Sequence, residues 1–194
     1  MRKIASILLL FVSLQETFAE DITWHQGSLV LKNTTVLTGA IAVNQEYDLV
    51  LFKSNDGLTI YPANKVRSFQ YYDESVNINR KFTSIQQKVS ALTTYGLYEI
   101  VLVGEISVLR ELSSRLADEN DHRDGYNYFV QLFGEHLKLH HFRSKVFPYL
   151  LKTCESLQRY IRKNRVNPNN RAHAILIIEF YNQEFRSRAV IASN

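Results

Sequence analysis

The sequence predicts an α+β protein, in which an N-terminal antiparallel β-sheet, or a partly closed barrel or sandwich, carries two to three C-terminal helices packed on it. Residues 24–108 are rich in β-branched and aromatic side chains and mostly alternate between apolar and polar, which is typical of strands. After residue 140 the apolar residues recur at helical spacing. Strands followed by helices favour this class over alternating βαβ units.

Turn residues divide the β-rich part, residues 24–140, into strands. The clearest turn signal is Asn55-Asp56-Gly57, which predicts a hairpin between the strands on either side of it. The helical spacing of Ile85, Val89 and Leu92 predicts a short helix that interrupts the strands. Strands are predicted at residues 27–31, 36–43, 48–53, 58–61, 66–72, 76–82, 97–109, 126–133 and 136–140.

The helical part is predicted at residues 143–186. One helix is expected at residues 144–151 around Pro148, and a second at residues 153–164, which Thr153 can cap. Asparagines at residues 167–170 are N-cap candidates for a third helix at residues 171–185, where residues 174–180 also fit a buried strand.

The first 19 residues have the layout of a secretory signal peptide. Arg2 and Lys3 precede an apolar run at residues 4–14, and residues 17–19 (Thr-Phe-Ala) place small residues at the −3 and −1 positions. The run is too short to cross a bilayer as a helix. We therefore expect an exported protein, periplasmic or extracellular, that begins near Glu20 and forms a single domain over residues 20–194.

The chain has one cysteine, Cys154, which rules out an internal disulfide. Cys154 falls on one helical face with Leu150, Leu157 and Ile161. We therefore expect it to be a small buried hydrophobe, although an unpaired thiol in an exported protein can also pair with another chain.

Several stretches spread over the chain carry a resemblance to known sequences. They are Gly27-Ser28-Leu29-Val30-Leu31, Gly39-x-Ile41, Tyr61-Pro62-Ala63-x-x-Val66-x-x-Phe69-x-Tyr71-x-Asp73, Glu99-x-x-x-x-Gly104-x-Ile106 and Tyr181-Asn182. Together they resemble a group of secreted proteins of the Bacteroidota for which no activity is established. The resemblance implies export and a β-rich body, and it implies no catalytic residue, cofactor or substrate.

The common catalytic motifs do not occur. There is no phosphate-binding glycine loop, no G-x-S-x-G nucleophile elbow and no H-E-x-x-H zinc motif. No pattern singles out a carboxylate pair for glycoside hydrolysis among Glu46, Asp48, Asp73, Glu99 and Glu105. We therefore expect no catalytic residue and no cofactor.

Two segments resemble metal sites but fit them poorly. The best metal candidates are His136, His140 and His141, but on a predicted strand His136 and His140 share one face with Lys138, whose charge repels a cation. The acidic segment 118–125 resembles a calcium loop, but its spacing fails the EF-hand register. We expect a solvated strand face and an exposed loop instead.

Charge is distributed unevenly along the chain. Residues 136–171 contain nine Lys and Arg residues and a single acid, Glu155. On the predicted helix 153–164, cations lie opposite the apolar face. The candidate surface for an anionic ligand or a partner consists of Lys152, Arg159, Arg162, Lys163 and Arg165.

These features favour an exported, non-enzymatic envelope or secreted protein that binds a ligand or partner. The alternative is a hydrolase of envelope or extracellular polymers whose site assembles only in the fold. Envelope components or another protein are the expected partners. Nucleic acid is not expected, because the chain is exported and has no nucleic-acid module.

Overall fold

The computed structural model describes residues 22–89, 92–112 and 125–192. The predicted signal peptide and residues 118–124 of the calcium-like segment 118–125 lie outside these residues. In the described ranges, ten strands form one antiparallel sheet in the order β10-β9-β8-β7-β6-β5-β1-β2-β3-β4, and three helices follow it. The α+β class is therefore confirmed, with mostly β structure. The strands continue through residue 138, so the sheet is not confined to the N-terminal part of the chain.

The strand bounds agree with the predicted hairpins. The strands are β1 (His25–Leu31), β2 (Val36–Asn44), β3 (Leu49–Ser54), β4 (Gly57–Pro62), β5 (Val66–Asp73), β6 (Ile78–Val89), β7 (Leu92–Leu102), β8 (Ser107–Leu112), β9 (Tyr126–Leu132) and β10 (Glu135–Lys138). The predicted Asn55-Asp56-Gly57 turn joins β3 to β4, and Gly57 has φ 118°. Glycine adopts this conformation without the steric cost that a side chain would add.

Two predictions for the middle of the sheet are wrong. A short helix is predicted from Ile85, Val89 and Leu92, but these residues lie in strands, since β6 runs to Val89 and β7 begins at Leu92. Residues four apart share a face in both a helix and a strand, so the spacing of Ile85 and Val89 fits either structure. Residues 97–109 are not one strand, because a turn separates β7 from β8.

Three helices complete the chain: α1 (Phe147–Thr153), α2 (Glu155–Asn164) and α3 (Arg171–Ala192). A 3₁₀ turn (Leu139–His141) and a π-helical turn (Phe142–Val146) lead into α1. The predicted helix at 171–185 is confirmed, and the Asn170 side chain accepts a bond from the His173 N–H at its start. No helix in the described ranges is both long and apolar enough to cross a bilayer.

The predicted start of the second helix is wrong. Cys154 has an extended backbone (φ −131°, ψ 98°), so it separates α1 from α2. Thr153 does not cap α2; its hydroxyl donates to the carbonyl of Tyr149 inside α1 at 2.9 Å. A threonine hydroxyl that bonds back into its own helix is not free to cap the next one.

Two apolar clusters stabilise the fold. The strand cluster lies among β1 to β7 and contains Leu29, Ile41, Val50, Phe52, Ala63, Val66, Phe69, Tyr71, Phe82 and Leu97. The helix cluster joins β8 and β9 to the helices, and its fully buried members are Ile106, Val108, Val130, Val146, Leu150, Leu157, Ile177 and Ile178. Cys154, 2% exposed, belongs to the helix cluster, which confirms that it is a buried hydrophobe.

A polar clamp fixes α3 against the turn between β7 and β8. The buried Asn182 side chain accepts a bond from the Ile106 N–H at 3.0 Å and donates to the Ile106 carbonyl at 2.8 Å. Gly104 lies against the same amide, and a Cβ there would overlap it. The clamp therefore attaches α3 to this turn at a defined position, and Arg186 of α3 also donates to the Val103 carbonyl at 2.8 Å.

Candidate functional site

The five predicted cations are all exposed, but they do not belong to one helix. Arg159, Arg162 and Lys163 lie on α2, Lys152 lies on α1, and Arg165 follows the last residue of α2. Lys152 therefore does not continue the helical face of Arg159 and Lys163, because the extended Cys154 separates the two helices. We call the three α2 cations and Arg165 the basic surface.

The inner face of α2 holds the basic surface in place. Leu157 is fully buried in the helix cluster, which confirms the predicted apolar face. Tyr160 stacks on Phe180 of α3 with ring centroids 4.1 Å apart. The Ser156 hydroxyl donates to the Glu184 carboxylate at 2.6 Å. The helix is thus attached to α3 by apolar, aromatic and polar contacts, and its opposite face is left to solvent.

The end of α2 fixes the position of Arg165. Arg165 has φ 52° and ψ 36°, a left-handed conformation in which the backbone leaves the helix. The next residue, Val166, is 8% exposed and donates its N–H to the Ile161 carbonyl at 3.2 Å. This is a common way to end a helix, although glycine is the usual residue at the left-handed position.

The basic surface lacks acidic partners within the described part of the chain. None of its four side chains forms an ion pair within 4.0 Å there. Glu155, Gln158, Arg159, Arg162 and Lys163 line a shallow depression along α2. All five come from one helix, so the depression is an open surface that suits an extended ligand better than an enclosed small molecule.

A second group of charges lies on the sheet between the two apolar clusters. The Arg80 guanidinium donates to both Glu99 carboxylate oxygens at 3.0 and 3.1 Å, and Arg110 donates to the same carboxylate at 2.8 Å. Asp73 Oδ2 lies 3.5 Å from Arg80 Nη1. We call Asp73, Arg80, Glu99 and Arg110 the ion-pair cluster. The two positive and two negative charges of this cluster cancel.

The geometry of the ion-pair cluster argues against catalysis by its carboxylates. Glu99 accepts three guanidinium bonds, which occupy three of the about four lone-pair sites of its carboxylate, so little of this group is left to face a substrate. Arg80 lies between Asp73 and Glu99, so the two carboxylates do not face each other across an open gap as those of a glycosidase do. Glu46 and Glu105 are exposed and lie apart from the cluster.

A third group of titratable side chains surrounds Tyr98, which is 1% exposed. The Tyr98 hydroxyl donates to the Glu111 carboxylate, and burial raises the pKa of Glu111 although this bond and one from Asn127 lower it. Burial also raises the pKa of Asp48, whose Oδ1 accepts the Leu97 N–H at 2.7 Å. Carboxyl groups with a raised pKa suit general acid chemistry. The hydrolase hypothesis would therefore depend on Glu111 and Asp48.

The histidines do not form the predicted strand face. His136 and Lys138 lie on β10, but the strand ends there and His140 belongs to the 3₁₀ turn beside His141, with ring centroids 3.9 Å apart. Burial lowers the pKa of His136. Among the residues that the structure describes, no three His, Cys, Asp or Glu side chains come together as metal ligands.

Sequence reasoning missed the ion-pair cluster, but the sequence contains a signal for it. In each of four strands a charged residue stands two positions from a buried apolar one, as in Tyr71-x-Asp73 and Leu97-x-Glu99. Residues two apart point to the same face of a sheet. Charged residues that share a face with buried apolar residues in several strands therefore predict that those charges pair with one another.

No protein-family model, curated protein or solved structure matched the chain. Its function is therefore inferred from the geometry of its own residues.

Proposed function

We propose that this protein is an exported, non-enzymatic binding protein of the cell envelope or its surroundings, and that it binds an anionic ligand or partner through the basic surface. The observation that carries this proposal is the group of four exposed cations on and beside α2 that have no acidic partner in the described chain. The signal-like residues 1–19 support export.

The contrast between the two charged regions supports a binding role for one of them. In the ion-pair cluster each arginine is paired with a carboxylate, so those charges stabilise the fold. On α2 the apolar inner face already attaches the helix, so the outer cations are not needed for packing. Clustered cations that outnumber the acids beside them, as the three cations of the α2 depression outnumber Glu155, raise the local potential and attract anions.

Neutralising the basic surface tests the proposal. In the variant Arg159→Gln, Arg162→Gln, Lys163→Gln we expect retention on vesicles rich in phosphatidylglycerol to fall on the order of 100-fold, because each cation near an anionic surface contributes about 1 kcal/mol. Retention should also decrease with added salt. Co-sedimentation over a series of salt concentrations measures both effects, and dextran sulfate provides a second anionic probe.

A matched control removes the same charge elsewhere. The variant Lys53→Gln, Arg67→Gln, Lys81→Gln changes three exposed cations on the strands and should retain most of its binding. Equal retention of the two variants on both probes would contradict a role for α2. Circular dichroism of each variant checks that the fold is intact.

We propose further that the first five strands curve into a partly closed barrel, and that the helices lie on β8 and β9 at the other end of the same sheet. β4 and β5 are joined by residues 63–65 alone, yet β1, β2 and β3 lie between them in the sheet. Four strand spacings in a flat sheet would be about 19 Å, whereas the link reaches only about 14 Å. The bond from the Ser84 hydroxyl to the Ala63 carbonyl, at 2.6 Å, also supports this curvature.

A further inference from the structure

The two edges of the sheet differ in chemistry. The β10 edge is four residues long and carries Glu135 and Lys138. The β4 edge (Gly57–Pro62) has no charged residue, and its Leu58 and Ile60 side chains are 57% and 54% exposed. Charged residues and short length are the usual protections of an edge strand against pairing with another chain. β4 has no charge, and its one proline lies at its end.

The backbone of β4 has unused hydrogen-bonding groups. The Ala63 N–H donates to the Asp48 carbonyl at 2.9 Å, so these two residues form a hydrogen-bonded pair at the end of the β3–β4 hairpin. Bonded and non-bonded pairs alternate along an antiparallel hairpin. It follows that Thr59 bonds to β3, whereas the N–H and C=O of Leu58 and Ile60 point away from it. In the described chain β4 pairs with β3 alone.

We propose that β4 pairs with β4 of a second copy of this protein, antiparallel about a two-fold axis at Thr59. In this register Leu58 lies opposite Ile60 of the second copy, and each such pair exchanges two backbone bonds. All the outward groups of Leu58 and Ile60 are then used. Pro62, which has no N–H, falls outside the bonded pairs.

The edge fits a second copy because it is complementary to itself. The two Leu58–Ile60 contacts lie on one face of the joined sheet, and no like charges meet along the edge. A two-fold contact of this kind uses the same patch twice and closes on itself. The contact area is small, so the dimer is weak and depends on concentration. The proposal is independent of the basic surface.

Sedimentation velocity over a wide range of protein concentration tests the dimer. The unmodified protein should shift from monomer to dimer as concentration rises. Leu58→Lys and Ile60→Pro should each remain monomeric, the first by charge repulsion and the second because it removes an outward N–H without touching the bonds to β3. Val76→Lys is the matched control, since Val76 is also 57% exposed but lies in the turn between β5 and β6.

Cross-linking locates the axis. Thr59→Cys should form a disulfide-linked dimer faster than Val76→Cys under mild oxidation, because opposite residues in a non-bonded pair lie close together. A protein that stays monomeric at its highest soluble concentration, with equal cross-linking of the two cysteine variants, would overturn the proposal. Dimerisation unaffected by Leu58→Lys would also overturn it. Circular dichroism distinguishes either result from unfolding.

Discussion

At the scale of single residues, the clamp between α3 and the sheet explains two features of the sequence that lie far apart. Gly104 and Asn182 are 78 positions apart in the sequence, and the Asn182 side chain occupies the space that a side chain at position 104 would need. The buried asparagine bonds to both backbone groups of Ile106. The absence of a side chain at Gly104 is thus required by its neighbour in space.

Replacing Asn182 should lower stability strongly. In Asn182→Ala the Ile106 N–H and C=O are left buried without partners, so we expect the free energy of unfolding to fall by about 2–4 kcal/mol. Urea unfolding monitored by circular dichroism measures the loss. The exposed neighbour provides a control, and Gln183→Ala should change stability by no more than about 0.5 kcal/mol. Equal losses would show that the clamp contributes little.

At the scale of the helices, the sequence predicts the buried face better than the ends. Leu150, Cys154 and Leu157 are buried as the periodicity predicts. The break at Cys154 could not be seen in that periodicity, because one extended residue changes the direction of the chain without exposing an apolar side chain. The basic surface is therefore smaller than the sequence indicates, with Lys152 on a separate helix.

The left-handed residue at the end of α2 leads to a prediction about stability and binding together. A residue with a Cβ pays a steric cost at φ 52°, so Arg165→Gly should raise the free energy of unfolding by about 0.5–1 kcal/mol. The same change removes one cation and should weaken vesicle retention.

The matched variant separates the two effects. Arg165→Ala removes the charge but keeps the Cβ, so it should weaken retention without the gain in stability. Thermal unfolding and co-sedimentation of both variants provide the comparison. A gain in both variants would show that the arginine charge, and not its backbone, limits stability.

At the scale of the whole molecule, the ion-pair cluster connects two halves that each have their own apolar core. Asp73 and Arg80 come from strands of the strand cluster, whereas Arg110 lies on β8 of the helix cluster. Glu99 on β7 receives bonds from both arginines. Its carboxylate therefore adds a side-chain link between the two halves beside the backbone ladder of β7 and β8.

Removing that charge should separate the unfolding of the two halves. In Glu99→Gln both arginines lose their main counter-charge, and we expect a loss of about 2–3 kcal/mol, less than for a fully buried pair because the arginines are partly exposed. Trp24, the only tryptophan, precedes β1, whereas all three helices follow the sheet. Fluorescence therefore reports the half that contains β1, and the helical part of the circular dichroism signal reports the half that contains the helix cluster.

The two signals give a direct measurement. In the unmodified protein the two denaturant transitions should coincide, and in Glu99→Gln they should separate. The exposed Glu105 offers a control, since Glu105→Gln should leave them coincident. Transitions that coincide in all three proteins would contradict a linking role for Glu99.

Much of the architecture can be predicted from local sequence patterns, whereas the charged sites cannot. Alternation and turn residues predict the hairpins, since Asn55-Asp56-Gly57 acts through the backbone of neighbouring residues. The ion-pair cluster brings together residues from four strands, and the Tyr98 group joins Asp48 to Glu111. Such contacts depend on strand order and register, which a single sequence does not encode locally.

The order of the strands also sets the order in which the chain can assemble. β1 lies between β2 and β5, and every strand from β6 to β10 pairs with the one synthesised just before it. A chain that emerges from a ribosome or a translocation channel N-terminus first can therefore complete the strand cluster early, then extend the sheet one hairpin at a time. The helices, which cover β8 and β9, are made last, so the apolar face of those two strands stays uncovered longest during synthesis.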